Sequence, residues 1–365
     1  MAPATRPRAL LVLAAWVLVS AAAATGQVPT SVEVPSSPLV LKSRGSFILG
    51  GESVRQTPAQ LSSIFGRPLP EGGHVSVHQM FVEFMVPMTG DGVPVVMLHG
   101  ATLTGKTYDT TPDGRMGWYE YFVRRGHPVY VPDQVSRGRS GVDVSVYNDV
   151  RAGARPASAL ANAFRQSDEI NWTVFRFGPR VGTPFADQQF PTSAVGQLAK
   201  QAVPDFSASL PSPNPNVSLM ASLGVRLEGA VLMGHSQTGA LPLDAALADP
   251  SAAKALILVE PGGCRTKQFT DEQIAALAKI PILIVFGDHL ETPTGMFGFS
   301  WQDAYEDCRA FIARVNASRG IAEMLYPPDM GIRGNSHMIM QDENNLQIAD
   351  LILGWIARTT KGARQ

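Results

Sequence analysis

The stretch around Ser236 constrains the fold of this chain most strongly. Four apolar residues at 230–233 lead into Gly-His-Ser-Gln-Thr-Gly at 234–239, and a run that permits a helix follows at 240–247. This pattern predicts a buried strand that turns sharply into a helix, with Ser236 at the apex. A serine there is exposed above the sheet at the positive end of a helix, where an oxyanion is stabilised. Because such a motif also arises by chance in ordinary Gly-rich turns, its interpretation depends on the rest of the chain.

Elsewhere, apolar runs alternate with helical patterns along most of the chain. Further runs typical of buried strands lie at residues 93–98, 127–132, 253–259, 280–286 and 321–326. Helical spacing of apolar residues occurs at residues 116–125, 301–315 and 345–357. Residues 46–50 and 75–87 come earlier, and their patterns predict the antiparallel strands that open many sheets. Strands that alternate with helices predict an α/β fold, with a mostly parallel central sheet and helices on both faces.

Two kinds of segment do not follow this alternation. Residues 25–44 are rich in Pro, Ser and Thr, which predicts an irregular leader, and residues 57–66 are expected to form a loop. Residues 142–228 carry many Pro and Asn and several aromatic residues, and they are too long for a simple connection. We expect a core of residues 27–141 and 229–365, interrupted by a cap or lid at 142–228, here called the insertion. Its aromatic side chains are expected mainly to pack onto the core, and also to line an apolar pocket.

The N-terminus has the pattern of a targeting segment. Arg6 and Arg8 precede a run at 9–24 that is apolar except for Ser20 and ends in four alanines. This order predicts a secretory signal peptide at residues 1–26 that is removed on export. A transmembrane anchor is the alternative, but the run is short for a bilayer and no cluster of positive charges follows it. The sequence therefore predicts a secreted or periplasmic protein with no membrane span after cleavage.

The chain contains two cysteines, Cys264 and Cys308. Because disulfides persist in oxidising compartments, an even pair in an exported chain predicts a disulfide between them. Two buried free thiols are the alternative interpretation.

Composition and motif content argue against several classes of partner. The chain has 365 residues and a formal charge of −1, which gives no electrostatic basis for binding nucleic acid. The histidines and cysteines lack the spacing of metal ligands, and no phosphate-binding glycine loop follows a predicted strand. We therefore expect no metal and no cofactor. The sequence leaves the oligomeric state open, and a homodimer is compatible with it.

Three reactive residue types occur in an informative order. Ser236 is followed by Glu260, at the end of a predicted strand, and by His337 on a loop near the C-terminus. This order resembles the Ser…Asp/Glu…His order of α/β-hydrolases. The turn His99-Gly100 after an earlier buried strand is similar to the oxyanion-hole turn of that superfamily. The resemblance covers about residues 75–360 apart from the insertion.

A closer resemblance is to a small family of secreted microbial esterases. It rests on the segments Leu103-Thr-Gly105, Thr110-Thr-Pro-Asp-Gly-Arg-Met-Gly-Trp118, Gly234-His-Ser-Gln-Thr-Gly239, Glu260-Pro-Gly, Cys264 and Gly334-Asn-Ser-His337. The acid of that family is a glutamate after the strand that follows the nucleophile helix, which implies Glu260 here. Some members carry two adjacent cysteines directly after His-Gly. Ala101-Thr102 replaces them in this chain, so that disulfide is absent.

The residues alone leave the acid open. Glu260 stands at the end of a buried strand, where a charged residue needs a specific role. Many α/β-hydrolases place the acid after the next strand, and at the usual spacing this chain has Leu290, which cannot serve. Asp288 and Glu291 flank that position and stay as alternatives, with capping or surface charges as their ordinary roles.

The resemblance implies a serine esterase that acts on a small-molecule carboxylic ester. Ser236 would attack the acyl carbon, His337 would act as base and then as acid, and Glu260 would orient the imidazole. The backbone N–H groups of Ala101 and Gln237 would bind the oxyanion. Lactones or amides are alternative substrates for the same residues. A catalytically silent binding protein is a further alternative, but it predicts a broken set of reactive residues.

Overall fold

The computed structural model describes residues 35–62 and 69–360. The predicted signal peptide at residues 1–26 lies outside the described residues. Within the described ranges, no helix has the length and apolar character that a bilayer crossing requires.

One eight-stranded sheet organises the molecule, in the order β1-β2-β4-β3-β5-β6-β7-β8. Its strands are β1 (Leu41–Gln56), β2 (Gly73–Pro87), β3 (Val95–Leu98), β4 (Val129–Pro132), β5 (Ala230–His235), β6 (Ala253–Val259), β7 (Ile282–Val285) and β8 (Ala322–Leu325). β2 pairs antiparallel with β1 and β4, and every other pair is parallel. The predicted mostly parallel sheet is thus confirmed.

Helices cover both faces of this sheet. They are α1 (Pro58–Leu61), α2 (Trp118–Arg124), α3 (Ser145–Arg151), α4 (Asp168–Val174), α5 (Val195–Ala199), α6 (Pro215–Arg226), α7 (Leu241–Ala248), α8 (Asp271–Leu277), α9 (Trp301–Ala317) and α10 (Asn345–Thr360). Every side chain of β3, β5 and β7 is buried. Since successive side chains of a strand point to opposite faces, these central strands are covered on both sides. The predicted helices at 116–125, 301–315 and 345–357 correspond to α2, α9 and α10.

Local expectations near the N-terminus were wrong in two places. The predicted leader ends in strand, because β1 begins at Leu41 and pairs with β2 as far as Pro87. A one-turn helix, α1, lies in the predicted loop, where the Thr57 side chain accepts the Gln60 N–H in a capping box. In both places hydrogen bonding to a neighbour decides the backbone conformation, which composition does not reveal.

The insertion holds no strand of the sheet among its residues 142–228. Its first part contains the short helices α3, α4 and α5, whereas α6 packs against α7 and β5. Four aromatic residues of the insertion are buried, namely Trp172, Phe175, Phe177 and Phe190. The rings of Phe177 and Phe190 stack at 4.1 Å between centroids. Packing therefore accounts for these side chains, in agreement with the main expectation for them.

A disulfide joins Cys264 to Cys308, as predicted. Cys264 follows β6 and Cys308 lies on α9, so the bond connects the loop after Glu260 to the helix that packs on β8.

Candidate active site

Ser236 directly follows β5, at the carboxyl edge of the sheet. Its φ of +57° lies in the left-handed region, which a non-glycine residue occupies only under constraint from its surroundings. A Cβ added at Gly234 would lie 2.1 Å from the Thr238 carbonyl oxygen, and one at Gly239 would lie 2.5 Å from Pro261 Cα. The turn therefore needs glycine on both sides of the serine, and this produces the sharp strand-to-helix turn that the sequence predicts.

Thr238 occupies the position two residues after the serine, where a glycine is usual. Its buried hydroxyl donates to the His99 carbonyl at 2.9 Å and lies 3.2 Å from the Leu98 carbonyl. The threonine therefore ties the turn after β5 to the turn after β3. Gly239, one residue later, supplies the close approach that the usual glycine provides.

The structure brings the predicted acid and base together. Glu260 directly follows β6, and its Oε2 lies 2.9 Å from Nδ1 of His337, which stands on the loop after β8. Both side chains are fully buried. Glu260 has a φ of +50°, a second left-handed residue at the same edge of the sheet. Asp288, the alternative acid, instead accepts the N–H groups of His289 and Gly334 at 2.7 and 3.1 Å.

The charges of this pair are set by burial and by one arginine. Burial raises the pKa of Glu260, but the Arg176 guanidinium and the bond to His337 outweigh it and bring that pKa down to about 2. Burial lowers the pKa of His337 below its ordinary value, against the opposing effect of Glu260. Glu260 is therefore an anion and His337 a neutral imidazole at pH 7, the states that a general base and its orienting acid require.

Aromatic rings enclose His337. The ring of Phe175 stacks on it at 5.4 Å, and the rings of Trp301 and His235 lie at 4.2 and 4.7 Å. Nε2 of His337 is buried and has no hydrogen-bond partner among the described residues, Ser236 included. Catalytic hydrogen bonds of this kind are often long without substrate and tighten in the complex.

Two further histidines of the site, His235 and His99, are held in the neutral form by burial. Nε2 of His235 lies 3.0 Å from the His337 carbonyl, and burial lowers the pKa of His235 to about 3. His99 Nε2 accepts the Gln134 N–H at 3.0 Å, and burial lowers the pKa of His99 to about 4. Both act in the structure as neutral hydrogen-bonding rings beside the serine.

The turn after β3, which carries Ala101, packs against the turn after β5, which carries Ser236 and Gln237. A Cβ added at Gly100 would lie 2.7 Å from Ser236 Cβ, so the first turn packs directly against the serine. Asp205 Oδ2 accepts the Gln237 side-chain amide at 3.1 Å and the Thr102 N–H at 3.3 Å. One carboxylate of the insertion thereby connects the two turns.

Sequence reasoning missed Arg176 and Asp205, both in the insertion. Each forms a buried ion pair with the core: Arg176 with Glu260, and Asp205 with Arg137. The sequence around them has no motif and no periodicity that would single them out. An arginine between two aromatic residues, Phe175 and Phe177, is the one local signal of a buried charge.

One group of side chains has the composition of a metal site. Ligand atoms of Asp187, Asp288 and His289 lie within 4.8 Å of one another. These atoms already have partners in the fold, since His289 Nε2 lies 2.9 Å from Asp187 and the Asp288 carboxylate accepts two backbone N–H groups. The group lies beside the loop after β7, and among the described residues none of its three side chains forms a hydrogen bond with the side chain of Ser236 or His337.

The strand order, the strained serine after β5 and the buried acid–histidine pair define an α/β-hydrolase. No family model matches the chain. It is 44% identical to a bacterial esterase of known structure, with a TM-score of 0.83, over 90% of this chain and 100% of that one. It is also 25% identical over 382 residues to a probable secreted lipase, phiG, of a fungal species (strain ATCC 74256), covering 88% of this chain and 96% of the lipase. The chain belongs to the α/β-hydrolase superfamily and is a carboxylic ester hydrolase.

Proposed function

We propose that this protein is a secreted serine esterase that cleaves small-molecule carboxylic esters through an acyl-serine intermediate. Ser236 is the nucleophile, His337 the base and Glu260 the acid that orients it. The proposal rests chiefly on the buried hydrogen bond between Glu260 Oε2 and His337 Nδ1. That bond leaves Nε2 of the same ring directed away from Glu260. Nε2 has no hydrogen-bond partner in the part of the chain that the structure describes, and it is therefore able to take a proton from a serine.

In the first half of the reaction, Ser236 Oγ attacks the acyl carbon while His337 Nε2 accepts its proton. The negative charge moves to the carbonyl oxygen, where the N–H groups of Ala101 and Gln237 stabilise it. One such donor typically contributes about 3 kcal/mol to transition-state stability. His337 then gives the proton to the departing alcohol, and Ser236 is left acylated.

In the second half, His337 removes a proton from water as the water oxygen attacks the acyl carbon. His337 then returns that proton to Ser236 Oγ as the bond from Oγ to the acyl carbon breaks, which releases the acid and restores the serine. At each protonation of the ring, the Glu260 carboxylate stabilises the imidazolium and holds Nδ1 as the donor. The low pKa of Glu260, about 2, supports this role because the carboxylate stays charged while the ring titrates.

The insertion is the proposed cap over this site. Helix α6 packs on the sheet, so we assign the cap to residues 142–214, a shorter range than the predicted 142–228. Phe175 of the cap stacks on His337, which supports a cap that closes the site from above. Export is supported by the predicted signal peptide, by the disulfide and by the similarity to a probable secreted lipase.

The test of this function is labelling by a fluorophosphonate probe together with turnover of p-nitrophenyl esters. The wild-type protein should be labelled and should release p-nitrophenol. Ser236→Ala should lose both properties while keeping the wild-type circular dichroism spectrum. Equal labelling of Ser236→Ala and the wild type would overturn the assignment. A panel of esters, lactones and amides of the same acid would then show which leaving group the site prefers.

A further inference from the structure

Arg176 is buried to a degree that its position in a cap does not explain. It follows α4 and Phe175, its φ is +58°, and its side chain has no exposed surface. Burying a guanidinium is costly unless the charge is paired and its N–H groups are bonded. A left-handed conformation adds to that cost. The contacts of Arg176 must therefore offset both.

The charge is paired with Glu260, while Nη1 is buried without a hydrogen-bond partner among the described residues. Nη2 of Arg176 donates to Glu260 Oε1 at 2.6 Å, and Nε donates to the Asp288 carbonyl at 2.7 Å. The guanidinium also lies over the Trp301 ring, 5.2 Å from its centroid. The arginine thus spans from the acid after β6 to the loop after β7 and to the start of α9.

These bonds divide the two oxygens of Glu260 between different partners. Oε1 accepts Arg176 Nη2 and the backbone N–H of Gly287. Oε2 is the oxygen that meets His337 Nδ1. Because the carboxylate cannot rotate without breaking the bonds on Oε1, the partners of Oε1 fix the direction in which Oε2 faces.

The same short segment of the insertion also holds the histidine. The Phe175 carbonyl accepts the His337 N–H at 2.9 Å, and the Val174 carbonyl accepts Trp301 Nε1 at 2.7 Å. Residues 174–176 therefore contact both members of the acid–histidine pair and the aromatic ring beside them.

We propose that Arg176 is a positioning residue of the active site, whose guanidinium holds Glu260 so that Oε2 faces His337 Nδ1. The inference rests on the proposed roles of Ser236, His337 and Glu260. It makes residues 174–176 of the insertion a part of the catalytic apparatus, in addition to a cover for it.

This role has an electrostatic signature. The cation of Arg176 lowers the pKa of His337, which Glu260 raises. The other titratable or charged groups that face this cluster are His235 on β5, Asp342 on the His337 loop, and Asp288, Tyr326 and Arg333 around the arginine. None of these replaces Arg176 as the cation bonded to Glu260. Removing the cation should therefore raise the pKa of His337.

The experiment compares Arg176→Met with Arg176→Lys by the pH dependence of kcat/KM on a p-nitrophenyl ester. In Arg176→Met we expect kcat to fall about 10- to 100-fold, as for a misplaced catalytic group. The midpoint of the acidic limb of the kcat/KM profile should rise by at least about half a pH unit. This limb reports the pKa of the base, His337, in the free enzyme. Arg176→Lys keeps the charge and should return the midpoint toward the wild-type value while recovering only part of kcat.

Arg137 provides the matched control. It is also buried, and it also forms an ion pair between the core and the insertion, with Asp205. It affects the pKa of His99 and not that of His337. Arg137→Met can lower stability and kcat but should leave the acidic midpoint unchanged. An equal shift in both methionine variants would show that the effect is structural, which would overturn the role assigned to Arg176.

A second comparison covers the case in which Arg176→Met does not fold. The double variant Arg176→Met/Glu260→Gln leaves no unpaired charge, and its kcat should equal that of Glu260→Gln alone, since Arg176 acts through Glu260. A further loss in the double variant, or a wild-type profile in Arg176→Lys and Arg176→Met, would overturn the inference. Failure of the proposed function is separate: it would appear as full activity in Ser236→Ala or His337→Ala.

Discussion

The side-chain amide of Gln237 donates to Asp205 Oδ2 at 3.1 Å, so the residue after Ser236 is bonded to the insertion. A second, longer bond joins the same amide to Ser207 Oγ at 3.3 Å. The backbone N–H of Gln237 is the proposed oxyanion donor, and the amide bonds keep its peptide in place. The insertion therefore supports both the oxyanion side and the histidine side of the site.

Gln237→Ala removes both amide bonds and keeps the backbone N–H. We expect kcat to fall less than about tenfold, because the oxyanion donor is retained and only its support is lost. Asp205→Ala should be much worse, since it leaves Arg137 buried without its anion, at a cost of about 3 to 5 kcal/mol in the free energy of unfolding. Steady-state kinetics and urea unfolding of the two variants check this order. Ser207→Ala removes only the longer of the two amide bonds and should lower kcat less than Gln237→Ala does.

Glu260→Gln and Asp288→Asn test Glu260 against Asp288, one of the two alternative acids that the sequence leaves open. Glutamine keeps the shape of Glu260 but places a donor or a neutral acceptor opposite His337 Nδ1, so we expect kcat to fall by about 10⁴-fold. Asp288→Asn should cost little in turnover, because the Asp288 carboxylate bonds the backbone N–H groups of His289 and Gly334 and not the ring of His337. The measurement is kcat on a p-nitrophenyl ester at pH 8. The opposite ranking would transfer the role of acid to Asp288.

The low pKa of Glu260 also predicts how stability depends on pH. Its value falls from an ordinary 4.5 to about 2 in the folded protein, so as the pH drops the unfolded chain binds this proton first. The stabilisation from the ionised carboxylate is therefore complete above about pH 4.5 and is lost as the pH falls toward 2. Urea midpoints of wild type and Glu260→Gln should converge over that range. A gap between the two midpoints that stays constant over this pH range would contradict the prediction.

The sequence predicted the central strands well because burial on both faces leaves an unbroken apolar run. Residues 253–259 were predicted as a strand and form β6 with those bounds. Ser236 and Glu260 stand at the ends of such runs, whereas His337 was predicted from the order of the three residues and from the resemblance at residues 334–337. The carboxyl ends of parallel strands lie at one edge of the sheet, so residues that follow different strands can lie close together there although they are distant in sequence.

The structure of the insertion could not be predicted from apolar runs in the sequence. Its helices α3, α4 and α5 have five to seven residues, too few for a period to be recognised. The roles of Arg176 and Asp205 depend on the path that these short elements take across the core. That path is set by tertiary contacts such as the bond from Phe175 to His337, which no local pattern in the sequence encodes.

Gly234 lies two residues before Ser236, where the turn leaves no room for a side chain. Gly234→Ala would place a Cβ 2.1 Å from the Thr238 carbonyl, a contact with backbone that a side-chain movement cannot relieve. We expect the turn to distort, with a loss of both fluorophosphonate labelling and thermal stability. Gly354→Ala is the matched control, because this exposed glycine of α10 has nothing within 4 Å of an added Cβ. That variant should be stabilised by about 0.5 to 1 kcal/mol through helix propensity, with unchanged labelling. Wild-type labelling and melting temperature in Gly234→Ala would contradict the requirement for glycine at this turn.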